Sequence, residues 1–69
     1  LIMNNSSITP FYKVKWKVDG VYKDQKFDSL EFAWRKYHSL EEADGIESVG
    51  LYYTDRNGNE KELAVWCRK

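Results

Sequence analysis

The sequence predicts a single α+β domain in which two β-hairpins flank one helix, in the order ββαββ. Residues 11–18, FYKVKWKV, alternate between apolar and basic side chains, which is typical of a half-buried strand. Asp-Gly in VDGV is a hairpin signal, DRNGN is a turn, and apolar residues at helical spacing lie between the two turns. We expect a four-stranded, mainly antiparallel sheet with one helix on one face. The strand order 2-1-3-4 is favoured, because it makes the most apolar strands central.

The first hairpin joins residues 11–18 to a return strand over residues 21–27, VYKDQKF. The return strand alternates poorly, because a two-residue turn that pairs Val18 with Val21 directs Lys23 to the core face. Two interpretations remain open: a bulge shifts the register, or the strand is a polar edge strand. The edge strand is favoured.

The helix is predicted to have Asp28 as its N-cap, with Glu31 three residues on as the capping-box partner. The C-terminal end is left open, because a second capping box begins at Ser39 and indicates a break there, whereas Gly45 is the expected final stop. Phe32 lies nearly opposite the apolar stripe, and burial under a neighbouring loop is favoured over a role as a second contact point. The stripe consists of Leu30, Ala33, Trp34, Tyr37 and Leu40.

The second hairpin is predicted from residues 46–54, IESVGLYYT, a turn over residues 55–59, and residues 60–68, EKELAVWCR. Alternation counted from Leu51 in the third strand and from Leu63 in the fourth strand places both side chains on the core face. The expected core consists of Val14, Trp16, Val18, Leu30, Ala33, Trp34, Tyr37, Leu40, Val49, Leu51, Tyr53, Leu63 and Val65, with Cys67 at its edge.

The size and charge of the chain favour self-association. A domain of 69 residues buries only about 60% of the surface that its unfolded chain exposes, so a monomer is expected to be marginal and a homodimer is favoured. The formal net charge of zero argues against a strongly basic nucleic-acid binder. Residues 1–36 carry seven basic and four acidic side chains, and residues 37–69 carry four basic and seven acidic ones. The opposite charges of the two halves suit self-complementary contacts.

Residues 1–9 are expected to form a flexible N-terminal arm, and residues 10–69 the folded domain. Cys67 is the single cysteine of the sequence, which excludes a disulfide within the chain and predicts a cytoplasmic location. No apolar run approaches the roughly 20 residues of a membrane helix, so no membrane partner is expected. Without a phosphate-binding glycine motif, no cofactor is expected. From size alone, an accessory protein of a phage or another mobile element is expected.

The predicted binding surface is the sheet face that a single helix leaves uncovered. The favoured interpretation is protein–protein interaction, including self-association as a homodimer, with Tyr52, Ala64 and Trp66 as an apolar centre inside a charged rim. The alternative is a single-stranded nucleic acid, with bases stacked on Tyr52 and Trp66 and phosphates at the lysines. A solvated face without a partner is the third interpretation. The predicted partner-binding residues are Lys13, Lys15, Lys17, Tyr52, Ala64, Trp66 and Arg68.

No arrangement of residues in the sequence indicates catalysis, and no enzyme is predicted. His38 is the single histidine and has no nearby sequence partner that would make it a general base. Cys67 is expected to be a small core residue rather than a nucleophile. The carboxylates at positions 41, 42, 44 and 47 lack the spacing of a calcium loop, so an acidic turn is expected and no metal site is predicted.

Overall fold

The computed structural model describes residues 8–68 and confirms the predicted ββαββ domain. All neighbouring strands are antiparallel, and the sheet has the predicted order β2-β1-β3-β4. Within the described residues no helix is long and apolar enough to cross a membrane. The elements are β1 (Phe11–Val18), β2 (Val21–Phe27), α1 (Leu30–Glu42), β3 (Ile46–Thr54) and β4 (Glu60–Cys67).

Most of the predicted N-terminal arm, residues 1–7, lies outside the described residues. The first described residue is tied to the second hairpin, because the Ile8 N–H donates a hydrogen bond of 3.1 Å to the Arg56 carbonyl. That turn is closed from within by Asp55, whose Oδ1 accepts from the N–H groups of Asn57 and Asn59 at 2.9 and 3.0 Å.

The first hairpin has a two-residue turn in which Asp19 (φ 52°) and Gly20 (φ 76°) both adopt left-handed backbone conformations. Such a turn matches the twist of the flanking strands, which is why Asp-Gly is favoured there. The pairing of β1 with β2 runs from Val18–Val21 to Tyr12–Phe27 without a shift. The bulge interpretation is therefore wrong, and the polar edge strand is confirmed.

The end of helix α1, which the sequence left open between Ser39 and Gly45, lies at Glu42, and the helix is continuous through Ser39. Its N-cap is Ser29 rather than Asp28, and the Ser29 side chain makes no capping hydrogen bond. The Ser29 carbonyl accepts the first helical bond from the Ala33 N–H at 3.1 Å. Burial of Leu40 against the sheet holds the last turns, so tertiary packing overrides the local capping signal.

The core lies between α1 and the central strands, and the sheet surface turned toward α1 is called the helix face. Helix α1 packs on β1, β2 and β3, and its contact with β4 is at most marginal. Ile46 is buried although it was not predicted, whereas Leu30 is 38% exposed and Phe32, expected under a loop, is 56% exposed. The buried apolar side chains are those of Val14, Ala33, Tyr37, Leu40, Ile46, Val49 and Leu51.

A bulge in β4 reverses the predicted assignment of side chains to the two faces. Leu51 pairs with Ala64 but Tyr52 pairs with Glu62, so Leu63 is an extra residue in β4. An extra residue moves every following side chain to the other face. Trp66 consequently lies opposite Val49 on the helix face.

The expected core positions of Leu63, Val65 and Cys67 are therefore wrong. Leu63 is 41% exposed, Val65 is 54% exposed, and Cys67 is exposed as well. Ala64 and Trp66 are half-buried and pack against the core cluster instead. Because α1 hardly reaches β4, the helix face has room for an indole there, and the indole covers the flank of the core.

Candidate functional site

The sheet surface that α1 does not cover is called the open face, and it is the candidate site. Directly opposed residues of antiparallel strands share a face, and the row Lys15–Gly50–Val65 runs across three strands on the open face. The parallel row Val14–Leu51–Ala64 lies on the helix face. The open face carries Phe11, Lys13, Lys15, Lys17, Tyr22, Asp24, Lys26, Ser48, Gly50, Tyr52, Thr54, Glu60, Glu62, Val65 and Cys67.

The structure brings four of the seven predicted partner-binding residues together on the open face: Lys13, Lys15, Lys17 and Tyr52. The predicted placement of Ala64 and Trp66 beside them is wrong, because the β4 bulge directs both to the helix face.

Arg68 follows the end of β4 and is held by the neighbouring strand. Its N–H donates to the Glu47 carbonyl at 2.9 Å, and its Nε donates to the Ile46 carbonyl at 3.1 Å. The guanidinium is therefore an anchor at the end of the sheet, and the predicted place among the open-face lysines is wrong. Sequence reasoning missed Val65, because alternation without the bulge assigned it to the core face. It also missed Tyr22, which stands in the polar strand β2.

Tyr52 lies over the centre of the open face and requires a glycine beneath it. A Cβ atom on Gly50 would lie 2.6–2.8 Å from atoms of the Tyr52 ring, which is closer than real contacts allow. The ring also lies 4.6 Å from the Lys15 Nζ, measured to its centroid. Lys15 in turn forms an ion pair of 3.0 Å with Glu60. Tyrosine, lysine and glutamate thus form one contact chain from β1 to β4.

Lys17 has a similar pair of neighbours nearer the first turn. Its Nζ lies 3.7 Å from a carboxylate oxygen of Glu47 and 5.2 Å from the centroid of the Tyr22 ring. Glu47 also accepts a hydrogen bond of 2.8 Å from the Gly20 N–H, which ties the turn to β3. Tyr22 itself is 76% exposed, the highest value among the large apolar side chains described.

The third lysine site lies at the other end of β1. Lys13 and Lys26 are directly opposed in the β1–β2 pairing, and their Nζ atoms lie 5.8 and 4.3 Å from the centroid of the Phe11 ring. Within residues 8–68 neither ammonium group forms an ion pair. Like charges in direct opposition destabilise a sheet, so this corner favours an incoming anion.

The shape of the open face suits a macromolecule better than a small ligand. Its depression, about 200 Å³ in volume, is floored by Gly50 and bordered by Tyr22, Tyr52 and Val65. Pockets for drug-sized ligands hold roughly 300–1,000 Å³. A larger space of about 640 Å³ is lined entirely by residues 31–43 along α1, so it is the solvent side of the helix rather than a cleft.

Three titratable residues of helix α1, Tyr37, His38 and Glu41, lie next to one another. His38 stacks on Trp34 with a centroid distance of 5.0 Å, and its Nδ1 lies 2.9 Å from Glu41. Burial raises the pKa of the Tyr37 phenol above its ordinary value, and the charges of Glu41 and Cys67 add to the rise. In the described part of the chain, no group of three or more His, Cys, Asp or Glu residues is placed to hold a metal ion.

Strand β4 is the second notable feature of the site, because it forms an outer edge of the sheet. Three consecutive charged residues, 60–62, begin it, and the apolar run LAVWC over residues 63–67 follows. Apolar side chains therefore project from both faces of one edge strand: Val65 on the open face and Trp66 on the helix face. The charged residues and the bulge at Leu63 protect the start of this edge, whereas residues 64–67 carry neither protection and can pair with another strand.

Comparisons with protein-family models, with curated proteins and with solved structures find no match for this chain.

Proposed function

We propose that this protein is a small non-catalytic binding module that acts by protein–protein contact, with a second copy of itself as the first partner. The contact surface is the edge strand β4 together with the part of the open face beside it. One observation carries the proposal: β4 leaves Val65 54% exposed and Leu63 41% exposed, beside a sheet face that no helix covers. Exposed apolar groups grouped in this way are typical of interaction surfaces.

The surroundings of these apolar groups support an interface. Val65, Cys67 and the Tyr52 ring form an apolar area, and Lys15 and Glu60 lie at its rim. An apolar centre with a polar rim is the common composition of protein interfaces. The single exposed cysteine is compatible with a reducing cytoplasm, which we include in the proposal.

Self-association is tested by sedimentation equilibrium over a series of protein concentrations. We expect a monomer–dimer equilibrium that Val65→Ser weakens. Val21→Ser is the matched control, because Val21 is 53% exposed but lies on the helix face of the far edge strand, and we expect it to leave the equilibrium unchanged. A wild-type chain that stays monomeric at high micromolar concentration would contradict self-association.

Single-stranded nucleic acid is a second candidate, supported by the Lys13–Lys26 corner. Two ammonium groups without acidic partners in residues 8–68 lie beside the Phe11 ring, which offers phosphate contacts next to a surface for base stacking. The candidate ranks second because Glu60 and Glu47 partly neutralise Lys15 and Lys17.

The nucleic-acid candidate predicts that a labelled single-stranded oligonucleotide binds at low salt and dissociates as salt rises. Lys13→Glu should abolish the anisotropy change. Lys23→Glu changes the same charge on the helix face of β2, opposite Trp16, and should leave binding intact. Absence of binding at low salt would remove this candidate without affecting the self-association proposal.

A further inference from the structure

We propose that two copies of this chain pair along their β4 edges, antiparallel and about a two-fold axis at Val65, to form one continuous eight-stranded sheet. The inference rests on the proposed function, because it states how self-association occurs. It assigns the contact to the strand edge rather than to stacking of two open faces.

The backbone of β4 presents unpaired groups outward at the centre of this edge. The Arg68 N–H donates to the Glu47 carbonyl at 2.9 Å, so residue 68 directs its backbone groups toward β3. Hydrogen-bonding direction alternates along an antiparallel strand. The N–H and C=O groups of Val65 and Cys67 therefore face away from β3, where a second strand can bond to them.

A two-fold axis at Val65 lets the outward backbone groups of the two strands hydrogen-bond and places side chains of compatible size opposite one another. Val65 then opposes Val65 of the second copy through its outward groups, and the regular pairing ends before the bulge at Leu63. On the helix face the large Trp66 indole opposes the small Ala64 of the second copy, so no two indoles are in direct opposition. The side chains of this register alternate large with small.

The ends of the strand differ in charge. Antiparallel pairing brings residues 60–62 of one β4, which carry two acidic and one basic side chain, near Arg68 of the other. Glu62 lies on the open face and the Arg68 guanidinium is bound to the Ile46 carbonyl, so the ends attract each other without a direct ion pair. Because the two-fold contact uses the same edge of both copies, it closes on itself and stops at a dimer. In the other edge strand, β2, every residue but Phe27 is exposed, and Lys23, Asp24 and Lys26 are charged, so the dimer ends in charged strands.

The decisive experiment compares Val65→Lys with Val21→Lys by analytical ultracentrifugation. Both valines lie in edge strands with nearly equal exposure, 54% and 53%, so both variants should stay folded by circular dichroism. We expect Val65→Lys to weaken dimerisation about tenfold or more, because a lysine at the centre of an edge opposes strand pairing. Val21→Lys should leave dimerisation at the wild-type value.

The register is tested by disulfide formation in a Cys67→Ser background. Directly opposed residues in an antiparallel pair lie about 5.5 Å apart between Cα atoms, within the range that a disulfide spans. Val65→Cys should therefore form a covalent dimer under mild oxidation, and Val21→Cys in the same background should not. Equal cross-linking of the two variants would overturn the register.

The outcomes separate the inference from the function on which it rests. A wild-type dimer that Val65→Lys leaves intact would overturn edge pairing while self-association stands. A wild-type monomer would overturn self-association itself, and the edge pairing with it. Loss of dimer in both lysine variants would show that an added charge at either edge is sufficient, and would overturn the assignment to β4.

Discussion

The two edge strands of this sheet are opposite in character although each presents one exposed valine. In β2 every residue but Phe27 is exposed, and charged residues project from both faces. In β4 the charges end at Glu62, and a bulge at Leu63 leads into an apolar run that contributes to both faces. The comparison shows that similar exposure of Val21 and Val65 does not make similar surfaces, because the neighbouring residues differ.

The helix accounts for part of this difference. Helix α1 packs on β1, β2 and β3 but hardly on β4. On the helix face of β4, the Trp66 side chain packs against the core instead. A regular polar strand can end a sheet in water without further protection. Strand β4 is apolar, bulged and not covered by the helix, so Leu63 and Val65 remain exposed. We therefore place the partner at β4.

The largest effect on stability is expected from truncating the Trp66 side chain of β4. Trp66→Ala removes an indole that packs on the core, so the free energy of unfolding should fall by about 3 kcal/mol. Val65→Ser, at the adjacent position on the open face, should cost less than about 0.5 kcal/mol in the monomer. Urea unfolding of both variants at low concentration measures the contrast. Equal losses would show that the two faces of β4 are not distinguished as described.

Removing the two lysines of β2 should reduce the difference between the edges. Lys23→Val combined with Lys26→Val is expected to make β2 a second pairing edge, so that assembly becomes open-ended and begins at a concentration lower by about tenfold. Light scattering against concentration measures this. Lys13→Val with Lys17→Val removes the same number of lysines from the central strand β1 and should not change assembly. Scattering that rises equally in both pairs would contradict an edge-specific role.

A smaller effect is expected where β3 supports the open face next to β4. Gly50→Ala should lower stability by about 1 kcal/mol, because the new Cβ forces the Tyr52 ring off the sheet. In a Tyr52→Ala background the same substitution should cost nothing or stabilise, since alanine is better than glycine in a strand. Chemical denaturation of the four proteins measures the coupling. An identical cost in both backgrounds would exclude the ring as the cause.

The smallest effect concerns the ion pair that joins β1 to β4 across the open face. Lys15 and Glu60 are each about 40% exposed, so their coupling free energy should be about 0.2–1 kcal/mol and fall with salt. A double-mutant cycle with alanine at both positions measures it. A coupling above about 2 kcal/mol would indicate a pair far less solvated than its exposure implies.

The sequence was sufficient for the architecture because several local signals agreed. The residues at positions 19–20 and the segment DRNGN predicted the two turns. Alternation in FYKVKWKV correctly predicted that the lysines of β1 share one face. The helix stripe predicted Ala33, Tyr37 and Leu40 in the core correctly. Each of these signals is short-range and depends on the covalent order of the chain.

Local signals could not predict which side chains of β4 lie on which face of the sheet. In LAVWC every residue is apolar or small, so a shift by one residue leaves an apolar side chain on each face and the alternation carries no information. Leu63 becomes the bulge because Ala64 then packs opposite Leu51 and Trp66 covers the flank of Val49. The position of the bulge therefore depends on which strands α1 packs against, and α1 hardly reaches β4.

The amino-acid sequence alone thus determined the strands, the turns, the helix and the placement of the β1 lysines on one face, since these follow from local periodicity and turn chemistry. The tertiary structure decided which side chains of β4 face the helix, how Arg68 is anchored, and that Phe32 stays exposed. Those outcomes depend on packing between segments far apart in sequence, where a shift of one residue changes the surface but not the fold.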